Sequence, residues 1–443
     1  MKTLFKTKFY VLLFIVGIFI FSTLVINTSL FDERLDPRVA AITQASIPTP
    51  SVDGNAYFAL MGISAAAGKN ITQTGVQLSK RYIKNRERGE DSLSSNDYQE
   101  ILKVKPEIDK LWQDRYDSCS SHKEYGCLAK LSKQLQTTPI NGTRLSLMLQ
   151  RYDSIMQMTS YQNLSHITHG TPMLKYGIIL NLSNLKLAHL YNSASKSQFL
   201  SQIAIEMNFW KMLLADGTMI IDKMVAVAAI RNNLSYLSEF MLASDLAERH
   251  KIAIDSILIP LSQSELDISE SFISESRTMF HQIIAINSTF FDMKFMLLQP
   301  NASMNIFYQY FTEPMVNLNK MKLAEFLEFL QSDNNKQRQK QVESLLSFAP
   351  DSLYNYNGKT FVSVNYCLNC QNYIARMHDL NNMINLLKLQ LSLEEYDNTT
   401  MVQAVLNSEI INPYTDKAYD FDSVGNWLQF DCLDPSLMCR IKL

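Results

Sequence analysis

The apolar run from Phe9 to Ile26 constrains this chain more than any other feature. It reads FYVLLFIVGIFIFSTLVI and holds no charged residue. A helix needs about 20 mostly apolar residues to cross the hydrocarbon core of a bilayer. Because the run meets that requirement, we predict a transmembrane helix over Phe9–Ile26, with the rest of the fold built by the residues that follow it.

The charges beside this run predict its orientation. Three lysines lie within residues 1–8, whereas Asp32, Glu33 and Arg34 follow the run with nearly balanced charge. Since positive residues favour the cytoplasmic side, we expect residues 1–8 in the cytoplasm and the main domain outside it. The alternative is a cleaved signal peptide. The apolar core of a signal peptide usually spans about 7–15 residues and is followed by a small-x-small site, which does not close this run.

The six cysteines agree with an oxidising location, because they fall into three local pairs. An even number of closely spaced cysteines outside the cytoplasm indicates disulfides. Spacing alone leaves the connectivity open, and local pairing is the simplest scheme. The disulfide candidates are Cys119 with Cys127, Cys367 with Cys370, and Cys432 with Cys439.

Composition excludes two broad classes of protein. Hydrophobic residues make up 47% of the chain and charged residues 19%, and the net charge is −2. A disordered chain would combine low hydrophobicity with high net charge. A nearly neutral chain also gives no electrostatic case for nucleic-acid binding. We therefore expect a folded protein with a substantial core and no nucleic-acid partner.

The chain divides into five predicted segments. Residues 1–8 are the cytoplasmic N-terminus, and 9–26 are the transmembrane helix. Alternating prolines at Pro48 and Pro50 favour an extended tether over residues 27–56. Helical periodicity then predicts a helical periplasmic domain over 57–350, and a C-terminal α+β part over 351–443 is expected to pack on it.

Two helices are especially clear from the spacing of apolar residues, over Phe199–Leu214 and Ile220–Met241. Gly217 is placed to end the first helix and Thr218 to cap the second. So short a connection predicts an antiparallel helical hairpin. Further helices are predicted over 143–158, 173–192, 247–258, 265–298, 315–331, 336–347 and 371–393.

The C-terminal hundred residues include predicted strands. Lys359–Tyr366 alternates and is rich in β-branched residues, which predicts a strand. Lys417–Asp422 and Trp427–Asp431 flank a Gly-Asn turn and predict a β-hairpin. The expected fold class is mainly α: a multi-helical domain with a small β-hairpin or strand addition near the C-terminus, preceded by one transmembrane helix.

No motif assigns a catalytic residue. The sequence has no nucleophile elbow, no phosphate-binding glycine loop and no zinc-protease motif, and we predict no cofactor. If the chain is an enzyme, the candidate acids are Glu206, Asp216 and Asp222. They lie in the apolar helical pair, where a buried acid is either paired or functional. Such an envelope hydrolase would hold these acids in a helical cleft.

Two short motifs offer weaker chemistry. Cys367 and Cys370 form a C-x-x-C ahead of a predicted helix, where a thiol oxidoreductase places its reactive cysteine. No βαβ frame surrounds them, so a structural disulfide is favoured. His166 and His169 have the spacing of two metal ligands. Because Gly170 follows them, we expect a loop and predict no metal.

Five aspartates surround the predicted hairpin. Carboxylates in a loop could bind calcium, which takes about six to eight oxygen ligands. No glutamate closes an EF-hand loop here, and charged hairpin edges that prevent edge pairing are the simpler interpretation. The five residues are Asp416, Asp420, Asp422, Asp431 and Asp434.

Three tracts carry a family resemblance: Ala215–Ile230 (ADGTMIIDKMVAVAAI), Tyr373–Leu389 (YIARMHDLNNMINLLKL) and Asn412–Phe430 (NPYTDKAYDFDSVGNWLQF). They resemble a group of uncharacterised bacterial envelope proteins with an N-terminal anchor, a helical body and an NPYTGKP-like C-terminal stretch. Asp416 stands here for the glycine of that stretch and Ala418 for its proline, and the cysteine pairs lie outside the pattern. The resemblance implies an inner-membrane protein that faces the periplasm, and implies no activity.

These features together predict a single-pass periplasmic protein of the bacterial inner membrane that binds or scaffolds envelope components without enzymatic activity. The expected partners are membrane lipid, through Phe9–Ile26, and an envelope protein. Two alternatives stay open. One is the hydrolase, and the other is the thiol oxidoreductase at Cys367 and Cys370.

Overall fold

The computed structural model confirms the predicted fold class, which is mainly α with a small antiparallel sheet near the C-terminus. It describes residues 2–45, 50–88, 92–102, 125–137, 143–163, 171–288, 297–332, 334–345, 353–365, 367, 369–394, 396 and 400–443. The helices and strands separate into two compact units, and neither is one continuous stretch of chain. These units do not follow the boundary predicted at residue 350.

The first unit comprises Met1–Ile47 and Phe272–Cys370. Its helices are α1 (Lys2–Ile26), α2 (Pro37–Gln44), most of α13 (Ser269–Ser288), α14 (Pro300–Phe307), α15 (Glu313–Asn319), α16 (Leu323–Gln331), α17 (Asn334–Ser344) and α18 (Tyr356–Val364). A π-helical segment, Tyr308–Thr312, joins α14 to α15.

The second unit comprises Pro48–Ser271 and Gln371–Leu443. Its helices are α3 (Ala56–Gly62), α4 (Ile71–Glu87), α5 (Ser95–Leu102), α6 (Cys127–Thr137), α7 (Thr143–Met156), α8 (Tyr176–Ser193), α9 (Lys196–Asp216), α10 (Ile220–Ala243), α11 (Glu248–Ile257), α12 (Gln263–Leu266), α19 (Gln371–Ser392) and α20 (Met401–Leu406). The strands are β1 (Asp420–Asp422), β2 (Trp427–Gln429) and β3 (Arg440–Lys442).

The core of the second unit is formed by α9, α10 and α19. The predicted α9–α10 hairpin is confirmed, and Gly217 ends α9 as expected. The start of α10 differs from the prediction, because Met219 and not Thr218 is its N-cap residue. The Thr218 hydroxyl instead donates to Asn163 Oδ1 at 3.2 Å. Inside this core the rings of Phe199 and Phe240 stack 4.6 Å apart.

Helix α1 is exposed along its apolar length. The part Thr7–Ile26 has a mean hydropathy of 2.8, and none of it is buried. It is therefore long and apolar enough to span a membrane. A soluble protein rarely leaves so large an apolar surface uncovered.

The residue after α1 is buried and hydrogen-bonded within the first unit. The Asn27 side chain donates to Thr23 O at 2.8 Å and to Leu353 O at 2.9 Å. Its Oδ1 accepts the backbone N–H of Asn355 at 2.7 Å. Asn355 is fully buried, and its own Oδ1 accepts the N–H of Gln299 at 2.8 Å. We call these residues, Asn27, Gln299 and Asn355, the asparagine lock.

The extended tether predicted over residues 27–56 is wrong for Pro37–Gln44, which form α2. Pro37 occupies the first turn, where its missing N–H costs nothing, and Asp36 caps the helix by accepting the N–H of Arg38 at 2.8 Å. Arg38 also pairs with Glu313 and stacks over the Tyr308 ring. This segment therefore packs as part of the first unit.

The strand predicted over Lys359–Tyr366 is also wrong, since Tyr356–Val364 is helix α18. A short run rich in apolar residues does not by itself distinguish a strand from a buried helix. Here Asn355, with a φ of 55°, starts the helix, and Gly358 lies against Ser303 of α14. Packing against α14 thus overrides the local β preference.

The predicted β-hairpin is confirmed. β1 and β2 are antiparallel, with Phe421 opposite Leu428, and Asn426 in the turn has a φ of 54°. The sequence did not indicate β3, which pairs with β2 through Ile441 opposite Leu428. The buried Leu428 and Ile441 fix the face of this sheet that packs inward.

Helices α3 and α4 approach each other through two glycines. A Cβ on Gly75 would lie 1.8 Å from Phe58 O, and one on Gly62 would lie 1.9 Å from Ile71 O. Both of those oxygens belong to backbone that cannot move away without shifting a helix. The contact therefore requires glycine at both positions.

Replacing Gly75 with alanine is expected to destabilise the protein by about 2 kcal/mol, because the methyl group overpacks a backbone contact. The matched control is Gly177→Ala in the first turn of α8, where nothing lies within 4 Å of the added Cβ. Chemical denaturation of the purified chain would measure both variants. Equal stability of the two variants would contradict the close contact.

Replacing Asn27 with alanine is expected to open the asparagine lock. The variant leaves the buried Asn355 N–H without its acceptor, which costs about 1–3 kcal/mol. Hydrogen exchange should therefore accelerate at Asn355. Thr23→Ala, which removes only an exposed hydroxyl bonded to Phe19 O, should leave that exchange rate unchanged. Unchanged exchange in Asn27→Ala would show that the lock does not hold this segment.

Candidate functional site

A buried polar cluster forms where α19 meets the C-terminal segment. Both Asp379 oxygens are occupied: Oδ1 accepts Leu433 N at 2.8 Å and Tyr414 OH at 2.9 Å, and Oδ2 accepts Asp434 N at 3.0 Å. Asp379 is fully buried. Burial raises its pKa, although these hydrogen bonds act in the opposite direction. We call this group, together with Arg231, Arg376 and Asn382, the C-terminal polar cluster.

A second buried acid, Asp434, balances the charge of the cluster. Burial opposes its ionisation, but the Ser436 amide and Arg376 together lower its pKa below the usual value. Arg376 Nε donates to Asp434 at 2.5 Å. On the opposite side Arg231, itself buried, donates to Met438 O at 2.8 Å. Two buried acids are therefore accompanied by two guanidinium groups, of which Arg231 is buried and Arg376 is partly exposed.

The turn after α20 completes the cluster. Asn382 of α19 donates to Asn412 Oδ1 at 3.1 Å and accepts the Tyr419 hydroxyl. In the same turn Asp416 adopts a φ of 54°. A glycine takes that conformation without strain, which gives a physical reason for the glycine at this place in the NPYTGKP-like stretch.

The geometry of the cluster is that of a hydrogen-bond network that stabilises the fold, and not that of a reactive site. Ligand atoms of Asp379, Cys432 and Cys439 lie within 4.8 Å of one another. Cys432 and Cys439 are joined as a disulfide, however, so their sulfurs are not thiolate ligands. The carboxylate oxygens of Asp379 are already hydrogen-bonded. What the arrangement does is hold the C-terminal loop against α10 and α19.

Of the candidate acids, Glu206 lies on α9 and is fully buried. Ser183 donates to its Oε2 at 2.6 Å and Gln202 to its Oε1 at 3.1 Å. Burial raises its pKa to about 7 in spite of these bonds. Tyr152 and Asn233 lie beside the carboxyl group and also lower its pKa.

The other two candidates occupy a different region. Asp222 is buried and accepts Tyr176 OH at 2.5 Å and Asn163 Nδ2 at 2.7 Å. Burial raises its pKa. Asp216 is partly exposed, and burial raises its pKa also. Beside them the buried Lys223 donates to Leu214 O and Asp267 O, and burial lowers its pKa to about 8.

The three candidate acids are thus not assembled into one open cleft. Glu206 and Asp222 belong to separate hydrogen-bond networks, each closed by tyrosine, serine or amide side chains. Neither acid has more than 1% of its surface exposed. A hydrolase needs its acids within reach of a bound substrate. Of the three candidates only Asp216 is exposed, and the carboxyl groups of Glu206 and Asp222 are buried.

The cysteines pair locally where they are described. Cys367–Cys370 and Cys432–Cys439 are disulfides, and Cys127 is also disulfide-bonded. Cys119 lies outside the described residues, as do His166 and His169. The C-x-x-C follows a helix and not a strand, since α18 ends at Val364.

An open groove lies between α4 and α5 on the second unit. Its volume is about 540 Å³. Four cationic side chains line it, together with one acid and several amides. The cations are Lys69, Lys80, Arg81 and Lys84. Neither Glu206 nor Asp222 lines this space, which we call the α4–α5 groove.

Comparison with known proteins adds no relative. No protein-family model, no curated protein and no solved structure matches the chain. The interpretation of the site therefore rests on its own geometry.

Sequence reasoning identified two of the buried acids but missed Asp379 and the α4–α5 groove. A signal for Asp379 existed, since Arg376, Asp379 and Asn382 recur every three residues between the apolar positions of α19. Polar residues on the buried face of a helix indicate a hydrogen-bonded interior network. The sequence also carried a signal for the α4–α5 groove, which is the positive charge concentrated between Lys80 and Arg88.

Glu206 should make stability depend on pH. Its pKa is about 7 in the folded protein and near 4.3 when unfolded. Between these values the folded state binds more protons, so the free energy of unfolding falls as pH rises, with Glu206 contributing about 4 kcal/mol in total. In Glu206→Gln this contribution to the decrease should disappear.

Urea unfolding at pH 5 and pH 8 would measure the effect. The control Glu248→Gln removes an exposed acid on α11 and should retain the dependence of the original chain. If Glu206→Gln and the original chain lost the same stability between the two pH values, the carboxyl would not be the titrating group.

Proposed function

We propose that the protein is a single-pass, membrane-anchored binding or scaffolding component of the bacterial envelope, with its main domain in the periplasm. The observation that carries the proposal is the exposed apolar helix α1, joined directly to buried structure at Asn27.

The asparagine lock supports an anchor that stays attached. Asn27 follows α1 immediately, and Asp32 accepts the backbone N–H groups of Asn301 and Ala302 at 2.9 and 3.1 Å. Signal-peptide cleavage just after the apolar run would separate these residues from the helix that precedes them. A chain cleaved there would begin among residues whose hydrogen bonds hold the first unit together.

Two features support a periplasmic location for both units. The lysines precede α1, which favours a cytoplasmic N-terminus. Disulfides at Cys367–Cys370 and Cys432–Cys439 fit a compartment that keeps cysteines oxidised. The three tracts that resemble periplasm-facing envelope proteins point the same way, and two of them meet at the C-terminal polar cluster.

Binding is favoured over catalysis by the placement of the acids. Glu206, Asp222 and Asp379 are all buried and hydrogen-bonded. By contrast, the α4–α5 groove is open to solvent and presents charged side chains. A cleft lined mainly by one sign of charge attracts ligands of the opposite charge, which suits a binding role.

Membrane fractionation with tags at both ends tests the anchor and its orientation. We expect one 50.8 kDa species plus tags, retained in membranes after carbonate extraction. In spheroplasts a protease should remove the C-terminal tag and spare the N-terminal one. A soluble, shortened species carrying only the C-terminal tag would overturn the anchor, and a protected C-terminal tag would overturn the orientation.

Photo-crosslinking in cells tests the binding role. A crosslinker at Gln77, in the α4–α5 groove, should yield a specific envelope adduct. The same crosslinker at the exposed Ile252 of α11 should not. Adducts that are identical from both positions, or absent from both, would contradict a dedicated binding surface.

A further inference from the structure

The α4–α5 groove concentrates positive charge in a chain whose net charge is −2. Four cations and one acid line it, so the charged side chains there sum to three positive charges. Its volume of about 540 Å³ lies within the range of about 300–1,000 Å³ that small-molecule sites occupy. Both its size and its charge therefore suit a small anion.

One of the cations is held in place by acids. Arg81 Nη1 lies 3.2 Å from Asp97, and Nη2 lies 3.1 Å from Glu100, both on α5. Asp97 is in turn fixed by Ser94 and Asn85. Arg81 is thus positioned across the groove, and much of its hydrogen-bonding capacity is already used.

The three lysines differ, because among the described residues none of their side chains makes an ion pair or hydrogen bond. Lys69, Lys80 and Lys84 are all exposed. Lys80 and Lys84 are one helical turn apart, at a spacing where like charges repel by about 0.2–0.5 kcal/mol. A bound anion would remove that repulsion and gain charge-assisted hydrogen bonds from both ammonium groups.

The remaining lining adds neutral donors. Asn70, Gln73 and Gln77 carry amide groups at the edge of the groove. The side-chain oxygen of Asn70 already accepts the backbone N–H of Gln73 at 3.0 Å. The side-chain NH₂ group of Asn70 is a donor. Amide N–H groups beside ammonium groups are suited to an acceptor-rich ligand with several oxygens.

We infer that the α4–α5 groove is a binding site for a compact anion that carries two or more phosphate groups. The ammonium group of each of the three lysines acts as a point charge, so a phosphate group can interact with it from any direction. A single carboxylate would neutralise only part of their charge. The proposal names the ligand class of the binding role proposed above and rests on that role, but its test does not depend on membrane topology.

Calorimetry with pyrophosphate tests the site on the full chain in nanodiscs of neutral lipid. We expect saturable binding with a Kd below about 1 mM. Lys80→Gln/Lys84→Gln should weaken it by about tenfold or more. The charge-matched control is Lys130→Gln/Lys133→Gln on α6, where both lysines are exposed, and it should change the Kd less than about twofold.

The source of the phosphate is distinguished in the same assay. If a lipid headgroup fills the groove, nanodiscs containing phosphatidylglycerol will compete with pyrophosphate. If the ligand is soluble, anionic and neutral discs will give the same Kd. Both results support the site.

Two results would overturn the proposed site. One is the absence of saturable pyrophosphate binding. The other is an equal loss of affinity in the two double variants, which would show that pyrophosphate responds to general surface charge and not to the groove. An acidic protein crosslinked at Gln77 by a chain that does not bind pyrophosphate would assign the groove to a different partner. Loss of the anchor in fractionation, with pyrophosphate binding intact, would overturn only the proposed location.

Discussion

The asparagine lock is the interaction on which the first unit depends. Asn27 and Asn355 are 328 positions apart in the chain, yet the backbone N–H of Asn355 donates to the side-chain oxygen of Asn27. The side-chain oxygen of each asparagine accepts a backbone N–H that would otherwise be buried without a partner. Because Asn355 also accepts from Gln299 and Ser303, the end of α1 and the starts of α14 and α18 are held by one network.

The interior of the second unit shows how a chain with few charges can bury several of them. Acids there are satisfied by tyrosine, serine and amide groups, as at Asp222 and Glu206. A buried cation is likewise satisfied by neutral groups, because Arg151 donates to the carbonyl groups of Ile63, Ala65 and Ala66 at 2.6–2.8 Å. Such networks specify one arrangement of helices, since a charge left without its partners costs several kcal/mol.

Much of the architecture was predictable from periodicity. The helices over α9, α10 and α19 follow from apolar residues at helical spacing, and the β1–β2 hairpin follows from its Gly-Asn turn. These features are local, so the sequence signal and the structure coincide. The apolar character of α1 is likewise local.

The structural predictions that were wrong have a common physical cause, which is contact between residues that lie far apart in the sequence. Lys359–Tyr366 resembles a strand until Gly358 packs on α14. Residues 37–44 look extended until the Asp36 N–H donates to Asn305 Oδ1 and Arg38 pairs with Glu313. β3 is three residues long and is specified by its neighbour β2. For the candidate site, the sequence indicated Glu206 and Asp222 as candidate acids. It did not indicate their burial or most of their hydrogen-bond partners, because Ser183, Tyr176 and Asn163 lie far from them in the chain.

The interleaving of the two units has a consequence for synthesis. Residues 27–44 leave the ribosome early, but their partners between Gln299 and Asn355 follow more than 250 residues later. At about 5–20 residues per second this delay is on the order of tens of seconds. Throughout that interval the segment after α1 has no native partner, and the second unit in turn waits for α19. Asn355 and α19 therefore complete both units, and a product truncated before residue 353 has neither unit complete.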